Sequence, residues 1–408
     1  MPRPDWGLVS DAGCIEMSAT REMSATRATA HVDPDAVAHN CARLLTALRG
    51  SSLCAVVKAD GYGHGAVRCS LAALGAGATW LAVATLGEAE ELRDAGIEAP
   101  ILIMGALCGR SEIERAIELA ADIVLWRERS VALASEAAAR VSGQARVHVK
   151  LDTGMGRLGT RDPDEAARVV AAAVAAPGVR LAGVMTHFAT ADTPGDDGFF
   201  ERQLATFADW SGAIKAEHPD ALVHAANSAA VLRDPRARFD MARCGIAVYG
   251  LDPFNLDPRT YDLKPALQLS SYVAEVKPCG VGESTGYGRR YIAERDTHIG
   301  VLPIGYGDGW RRALSGNADV LIAGARLPLV GTVSMDNVAV DLGADPGALE
   351  LCGAEAILIG CSGPERITAE ELAGRMGTIN YEITCGLSAR VQRSYMQRSY
   401  RFRSPTAG

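Results

Sequence analysis

From Ser51 onward the chain alternates short runs of Val, Ile, Leu and Ala with longer stretches whose apolar positions recur at helical spacing. The runs are LCAVVK (53–58), WLAVA (80–84), ILIM (101–104), DIVL (122–125), VHVKLD (147–152), LAGVMT (181–186), LVHAA (222–226) and CGIAVYG (244–250). Between them Ala66–Leu74, Leu86–Asp94, Glu112–Ala120, Ser130–Val141, Asp164–Ala176 and Phe199–Ala216 read as helices, the pattern of parallel strands joined by helical crossovers. Eight such units predict an α/β fold with a closed (β/α)8 TIM-type barrel, which takes about 200–250 residues. Residues 28–260 supply that length.

After Tyr261 the texture changes to short alternating strands broken by Gly and Pro: 267–277, 298–304, 318–324, 337–342 and 356–360. These predict a C-terminal, mostly-β domain over 261–408 with one short helix, Ala369–Met376. DPFNLDPRTYDLK (252–264) has the chemistry of a linker. Residues 1–27, with the echo MSATREMSATR, read as a flexible leader, and QRSYMQRSY (392–400) is a second echo. Neither recurs, so a solenoid is excluded.

Composition narrows the partners. The 408 residues are 48% hydrophobic and 22% charged with a formal net charge of -8, which excludes a disordered chain and argues against nucleic acid or an anionic membrane as partner. A small molecule fits better. The ten cysteines form no CxxC or other close ligand pair, so no metal site is expected. Cys54 and Cys244 lie inside apolar runs, as reduced thiols do in a cytoplasmic protein. The N-terminus has no secretory h-region, and no run of about 18 apolar residues occurs, so a soluble, intracellular protein is expected.

Barrel chemistry sits where strands give way to loops at the C-terminal face. Lys58 closes the first run ahead of the glycine-rich ADGYGHGA, and a lysine desolvated at a barrel mouth can form a Schiff base with a carbonyl. Gly61, Gly63 and Ala66 also fit GxGxxG/A, but the next strand ends in Ala84, Thr85 and Leu86 instead of the acidic residue that a dinucleotide site requires. In the fifth run Arg146, His148, Lys150 and Asp152 share one face. An inward lysine is costly unless paired or neutralised, so Lys150 either pairs with a carboxylate such as Asp152 or has another purpose. TGMGRLG (153–159) then presents Arg157, a donor for an oxyanion or carboxylate. His187, Asn227 and Ser228 follow the sixth and seventh runs, and Arg243 stands in apolar surroundings. Ser228 with the backbone N–H groups of Gly245 and Ile246 would make a phosphate site at the position usual for this fold.

VVKADGYGHG, KLDTGMGRLG, THFATAD, NSAA, MARCGIAVYG, STGYGR, PIGYGDGW, GTVSMDN and INYEIT, in this order, resemble the alanine racemases, pyridoxal-phosphate enzymes of bacterial cell-wall precursor synthesis. The resemblance covers about residues 28–402. It implies interconversion of L- and D-alanine, supplying D-alanine for peptidoglycan, in a head-to-tail homodimer with shared active sites. It makes Lys58 the cofactor's lysine and one catalytic base, and Tyr287 of the partner subunit the other. It places Arg243 at the pyridine nitrogen with His187 in support, Arg157 at the phenolic oxygen, and the phosphate on Tyr62, Ser228, Gly245, Ile246 and Tyr381, beside Asn227. The partner subunit's Met335 and the partner subunit's Asp336 would help to place the substrate carboxylate, with Arg157 also binding substrate, Tyr306 would narrow the entrance, and Lys150 would carry a carbamate that orients Arg157. SARVQR (388–393) lacks the proline of the family pattern, and the leader has no counterpart in it. A serine or broad-specificity racemase, a decarboxylase of the same two-domain type and a non-catalytic cofactor carrier are the alternatives. A decarboxylase would want an acid in place of Arg243, and a carrier would not need the domain bearing Tyr287.

Overall fold

The computed structural model describes residues 26–193 and 195–396. Strand β1 (Thr29–Val32) leads into helix Pro34–Leu48, which Asp33 caps by accepting the Asp35 N–H at 2.8 Å, with Pro34 at the first helical position. Eight parallel strands then close into a barrel: β2 (Ser52–Val56), β3 (Trp80–Val83), β4 (Ile101–Ile103), β5 (Ala121–Leu125), β6 (Ala145–Lys150), β7 (Val179–Met185), β8 (Leu222–His224) and β9 (Met241–Cys244). Strand β9 pairs with β2, with Cys54 opposite Arg243, and this pairing shuts the barrel. Each strand is followed by a helix or a tight turn that packs it from outside, so the strands bury both faces and read as continuous apolar runs.

Seven of the eight expected strands lie where the apolar runs are. The eighth does not. Its strand is Met241–Cys244, and Ile246–Tyr249 forms a 3-10 turn, because Gly245 leaves the extended region and breaks the strand. The reading from Ser51 also passed over β1 and helix Pro34–Leu48.

The described chain falls into two compact units, and they are not consecutive in sequence. Val32–Ala266 and Met376–Leu387 belong to the barrel unit, so the helix Asn380–Cys385 that carries Tyr381 goes with the barrel although it lies late in the chain. The other unit holds Leu267–Arg375 and Ser388–Ser394, together with the chain up to His31. It is built on a ten-stranded sheet in which β1 runs beside β10 (Leu267–Tyr272) and the C-terminal strand Gln392–Tyr395. The single run expected at 267–277 is two strands, Leu267–Tyr272 and Glu275–Cys279. Helix Ala369–Met376 forms as expected. Within this unit Arg326 bonds Asp319, Glu365 and Glu371, and Arg375 shares Asp319 and Glu371.

The leader lies outside the described residues except for its last two. Thr26 donates to Gln392, and Arg27 donates to the Asp336 carbonyl at 2.5 Å. Of the C-terminal echo, Gln392–Tyr395 is a strand and residues 397–400 lie outside the described residues. Cys54 and Cys244 are buried free thiols in strands, as expected of small hydrophobes. Among the described residues no helix is long and apolar enough to cross a membrane, and no group of three His, Cys, Asp or Glu side chains could hold a metal.

Candidate active site

Lys58 lies just past the end of β2, where the chain makes a left-handed turn: Ala59, Asp60, Gly61 and Tyr62 have φ of 52, 51, 58 and 54°. Left-handed backbone costs an L-residue about 1–2 kcal/mol, and three of these four are not glycine. Glu88 offsets part of that cost. Its carboxylate accepts the Ala59 N–H at 2.7 Å and the Ala84 and Thr85 N–H groups at 2.7 and 3.0 Å, while Asp60 accepts the Ala66 N–H at 2.9 Å. The turn presents both Lys58 and Tyr62 to one cavity at the barrel mouth. Sequence reading expected glycine freedom here and missed the left-handed turn, and with it the part that Glu88 plays.

That cavity has a volume of about 520 Å³. Lys58, Tyr62, Lys150, Arg157, His187, Asn227, Ser228, Arg243, Gly245, Ile246 and Tyr381 line it, with apolar walls from Val56, Ala84, Met104, Leu158 and Met185. Four cations therefore face one space, and no Asp or Glu lines it. Burial and the Arg157 charge push the Lys58 ammonium below its ordinary value. Burial, Arg243 and Arg157 push Lys150 down to about 8. Burial also raises the Tyr62 and Tyr381 phenols, which stay protonated as donors. A side chain on Gly245 would come within 2.3 Å of the Tyr62 hydroxyl, so glycine keeps this corner open. Ser228 Oγ accepts the Gly245 N–H at 3.1 Å, which draws the loop after β8 and the end of β9 together.

Asn227 turns its side-chain oxygen to the Ala230 N–H at 2.9 Å and so caps helix Ser228–Arg233. The expected pairing of Lys150 with Asp152 is not formed. Asp152 accepts the Gly154 and Gly156 N–H groups at 3.1 and 3.0 Å, and these donors hold its carboxyl low against the effect of burial. Among the described residues no carboxylate comes within ion-pair distance of Lys150 or of Arg243. Arg243 is 3% exposed and donates to the Thr186 and Ala225 carbonyls at 2.8 and 3.0 Å. His187 does lie beside it at 3.3 Å, but His224 Nδ1 is closer, at 2.6 Å. His224 was missed. Its only signal was a histidine inside the apolar run LVHAA.

The decisive comparison is with families. Residues 32–253 match the family model described as alanine racemase, N-terminal domain, and residues 266–395 the one described as alanine racemase, C-terminal domain. The chain belongs to the alanine racemase family. It is 42% identical to an alanine racemase of Symbiobacterium thermophilum over 370 residues, covering 90% of this chain and 96% of the relative. It is 43% identical to that of Geobacillus stearothermophilus over 373 residues, covering 90% and 93%. The crystal structure of alanine racemase from Streptomyces lavendulae superposes with a TM-score of 0.86 at 38% identity, covering 92% of this chain and 98% of that one. One from Bacillus anthracis, solved with bound L-Ala-P, gives 0.84 at 37% identity and covers 92% and 96%.

The remaining residues that the alanine racemase pattern points to belong to the other unit, on three adjoining loops. Tyr287 begins a 3-10 turn, its carbonyl accepts the Thr332 hydroxyl at 2.8 Å, and the residue is 73% exposed. Tyr306 donates its N–H to Ser334 at 3.0 Å, and Gly307 donates to Met335 at 2.9 Å. Tyr306 and Met335 are exposed too. The Asp336 carboxylate is held by Arg390 at 2.7 Å and Arg27 at 3.7 Å.

Proposed function

We propose that the chain interconverts L- and D-alanine, using pyridoxal phosphate in the barrel cavity, with Lys58 and Tyr287 as bases on opposite faces of the substrate. The observation that carries this reading is a cavity lined by four cations and no carboxylate, with a desolvated lysine among them. Such a space suits an anionic, flat ligand bearing a carbonyl. The Tyr62 and Tyr381 hydroxyls, Ser228 and the Gly245 and Ile246 backbone suit a phosphate, and Arg157 suits the ring oxygen. The bound cofactor supplies the electron sink that lets the substrate's Cα lose a proton.

The chain's own residues do the rest. Lys58 takes or returns a proton at Cα on one face, and its lowered affinity for protons keeps more of it in the free-base form. Tyr287 serves the other face. Arg243, at the ring nitrogen, is lowered only to about 10 and so remains protonated at neutral pH, holding its proton instead of giving it up. An acid at that point would favour decarboxylase chemistry. Carbamylation of Lys150 would convert a costly cation into an anion that orients Arg157. Tyr287, Ile292 and Met335, large and exposed on one unit, support covering by a second copy of the chain, which would make the active site a product of two subunits. The role that follows is supply of D-alanine for peptidoglycan in the cytoplasm.

The test is polarimetry of purified protein loaded with pyridoxal phosphate, given each enantiomer of alanine and of serine, together with borohydride reduction and peptide mapping. Optical activity of either alanine enantiomer should decay to zero, and the reduced cofactor should map to Lys58. Stable rotation, carbon dioxide release, or label on Lys150 would overturn the reading, and equal rates on serine would widen the substrate class.

A further inference from the structure

Behind Arg243 a file of buried polar groups crosses the barrel interior, and nothing in the racemisation chemistry uses it. Arg243 Nη1 lies 2.6 Å from His224 Nδ1, His224 Nε2 lies 2.8 Å from His148 Nδ1, and His148 Nε2 lies 3.1 Å from Asp122 Oδ2. The other Asp122 oxygen accepts from Arg146 Nε at 2.6 Å, and Arg146 is itself tied to the Ala120 carbonyl at 2.6 Å. The four linked side chains come from β9, β8, β6 and β5 in turn. All are buried: Asp122 is 1% exposed, and both imidazoles are 0% exposed. Buried polar groups at such depths need hydrogen-bond partners.

We propose that Asp122 and His148 are positioning residues for Arg243, acting through His224 by fixing the tautomer of both imidazoles. The direction follows from what each group can do. A guanidinium only donates, so His224 Nδ1 must be bare and its proton must sit on Nε2. That proton needs an acceptor, so His148 Nδ1 is bare as well and His148 carries its proton on Nε2. Only an acceptor at the far end permits this, and Asp122, its orientation set by Arg146, is that acceptor. Reversing the file would put an N–H of His224 head-on against an N–H of Arg243 at 2.6 Å. Burial and the neighbouring Arg243, His148 and Lys150 also disfavour a charged His224, which would reverse the contact in the same way. A file with a carboxylate at one end and a guanidinium at the other polarises both rings in the same sense and strengthens each link. Neither the Trp80 ring edge beside His148 nor the Arg243 guanidinium beside His224 supplies an alternative acceptor. The inference rests on the proposed place of Arg243 at the cofactor, but its primary test does not.

Protein labelled with 15N at histidine and freed of cofactor should show His148 and His224 as neutral Nε2–H rings at pH 7, with the His148 signals assigned by their loss in His148→Asn. Either ring found as the Nδ1–H form or as imidazolium overturns the proposal, whatever the enzyme's activity. Asp122→Leu removes the acceptor and should mix the tautomers, with kcat for alanine falling about 10-fold or more and KM changing by less than about twofold, as for loss of an outer-shell support. Asp122→Asn keeps an acceptor oxygen and should restore the Nε2–H signals and most of kcat. A folded Asp122→Leu with wild-type tautomers and wild-type kcat refutes the positioning role. Should that variant fail to fold, the wild-type and Asp122→Asn spectra decide alone. Correct tautomers with no racemisation would leave the file intact and discard the proposed function instead.

Discussion

Lys150→Met removes a buried cation at nearly constant volume, and the structure gives the size of the effect. Burial, Arg243 and Arg157 lower the Lys150 amine from 10.5 to about 8, which corresponds to roughly 3 kcal/mol of disfavoured charge at neutral pH. In the unfolded chain the amine keeps its proton up to its ordinary value, whereas in the folded chain it releases it near 8. Between those values the unfolded state binds more protons, so stability rises with pH across that window; below it the penalty is complete, and above it the penalty is gone. The methionine variant should therefore be the more stable protein at pH 7 by up to about 3 kcal/mol, several degrees in Tm, and should lose that advantage by pH 10.5. Thermal unfolding of cofactor-free protein in carbon-dioxide-free buffer at pH 7, 8, 9 and 10.5 reads this, because titrating groups away from Lys150 cancel in the difference. Bicarbonate adds a second reading. If the amine takes up carbon dioxide, the resulting anion lies among Arg157 and Arg243, so bicarbonate should raise the wild-type Tm and leave Lys150→Met unmoved. A Tm difference that is constant with pH, or a bicarbonate effect equal in both proteins, would refute the reasoning.

Two further outcomes test assembly and packing. Lys58→Ala and Tyr287→Ala should each be nearly inactive alone, yet co-refolding them at equal concentration should restore about a quarter of wild-type activity, since random pairing makes half the dimers mixed and each mixed dimer holds one intact site; background activity with exchange confirmed by mass spectrometry would put both bases on one chain. Gly63→Ala should lower Tm and weaken cofactor retention together, because Gly63 has φ +84° and its added methyl would fall 2.2 Å from the Thr384 carbonyl on the helix that carries Tyr381; an unchanged Tm would show that this approach is not tight.

How much of this was legible in sequence depends on whether a residue's partner lies near it in the chain. Lys58 and Lys150 could be singled out because each stands in or at the end of an apolar run, where a charge is costly and asks for a reason, and Arg157 because the glycine-spaced loop after the fifth run presents it. The eighth strand was misplaced because Ile246–Tyr249 is the more apolar stretch while Met241–Cys244 carries Arg243, and the strand ends where Gly245 departs from extended backbone. Apolar pattern cannot register that. Tyr381 was assigned to the β domain by its place in the chain, although its helix belongs to the barrel unit. His224, His148 and Asp122 were out of reach for a different reason. His148 was counted only as one of a polar row on its strand, and Asp122 as the first letter of an apolar run; their significance is a contact between three strands, which no single run displays.

The fate of the nearby carboxylates explains how the cavity stays cationic. Glu88 is spent on the Ala59, Ala84 and Thr85 N–H groups, Asp152 on Gly154 and Gly156, and Asp122 on His148 and Arg146. Each of these acids is held by donors of its own and turned away from the space that Lys58, Lys150, Arg157 and Arg243 share. The four cations are therefore left to repel one another in low dielectric, where burial already works against them. Pairing them internally would stabilise the protein alone but leave nothing for a ligand to gain. Left unpaired, they make an anionic occupant the missing half of the electrostatics, and burial together with the Arg157 charge keeps the Lys58 amine less protonated than a lysine in water. Affinity for an anion and the free-base fraction of the lysine thus come from one arrangement, and an acidic residue introduced into the cavity wall would lower both at once.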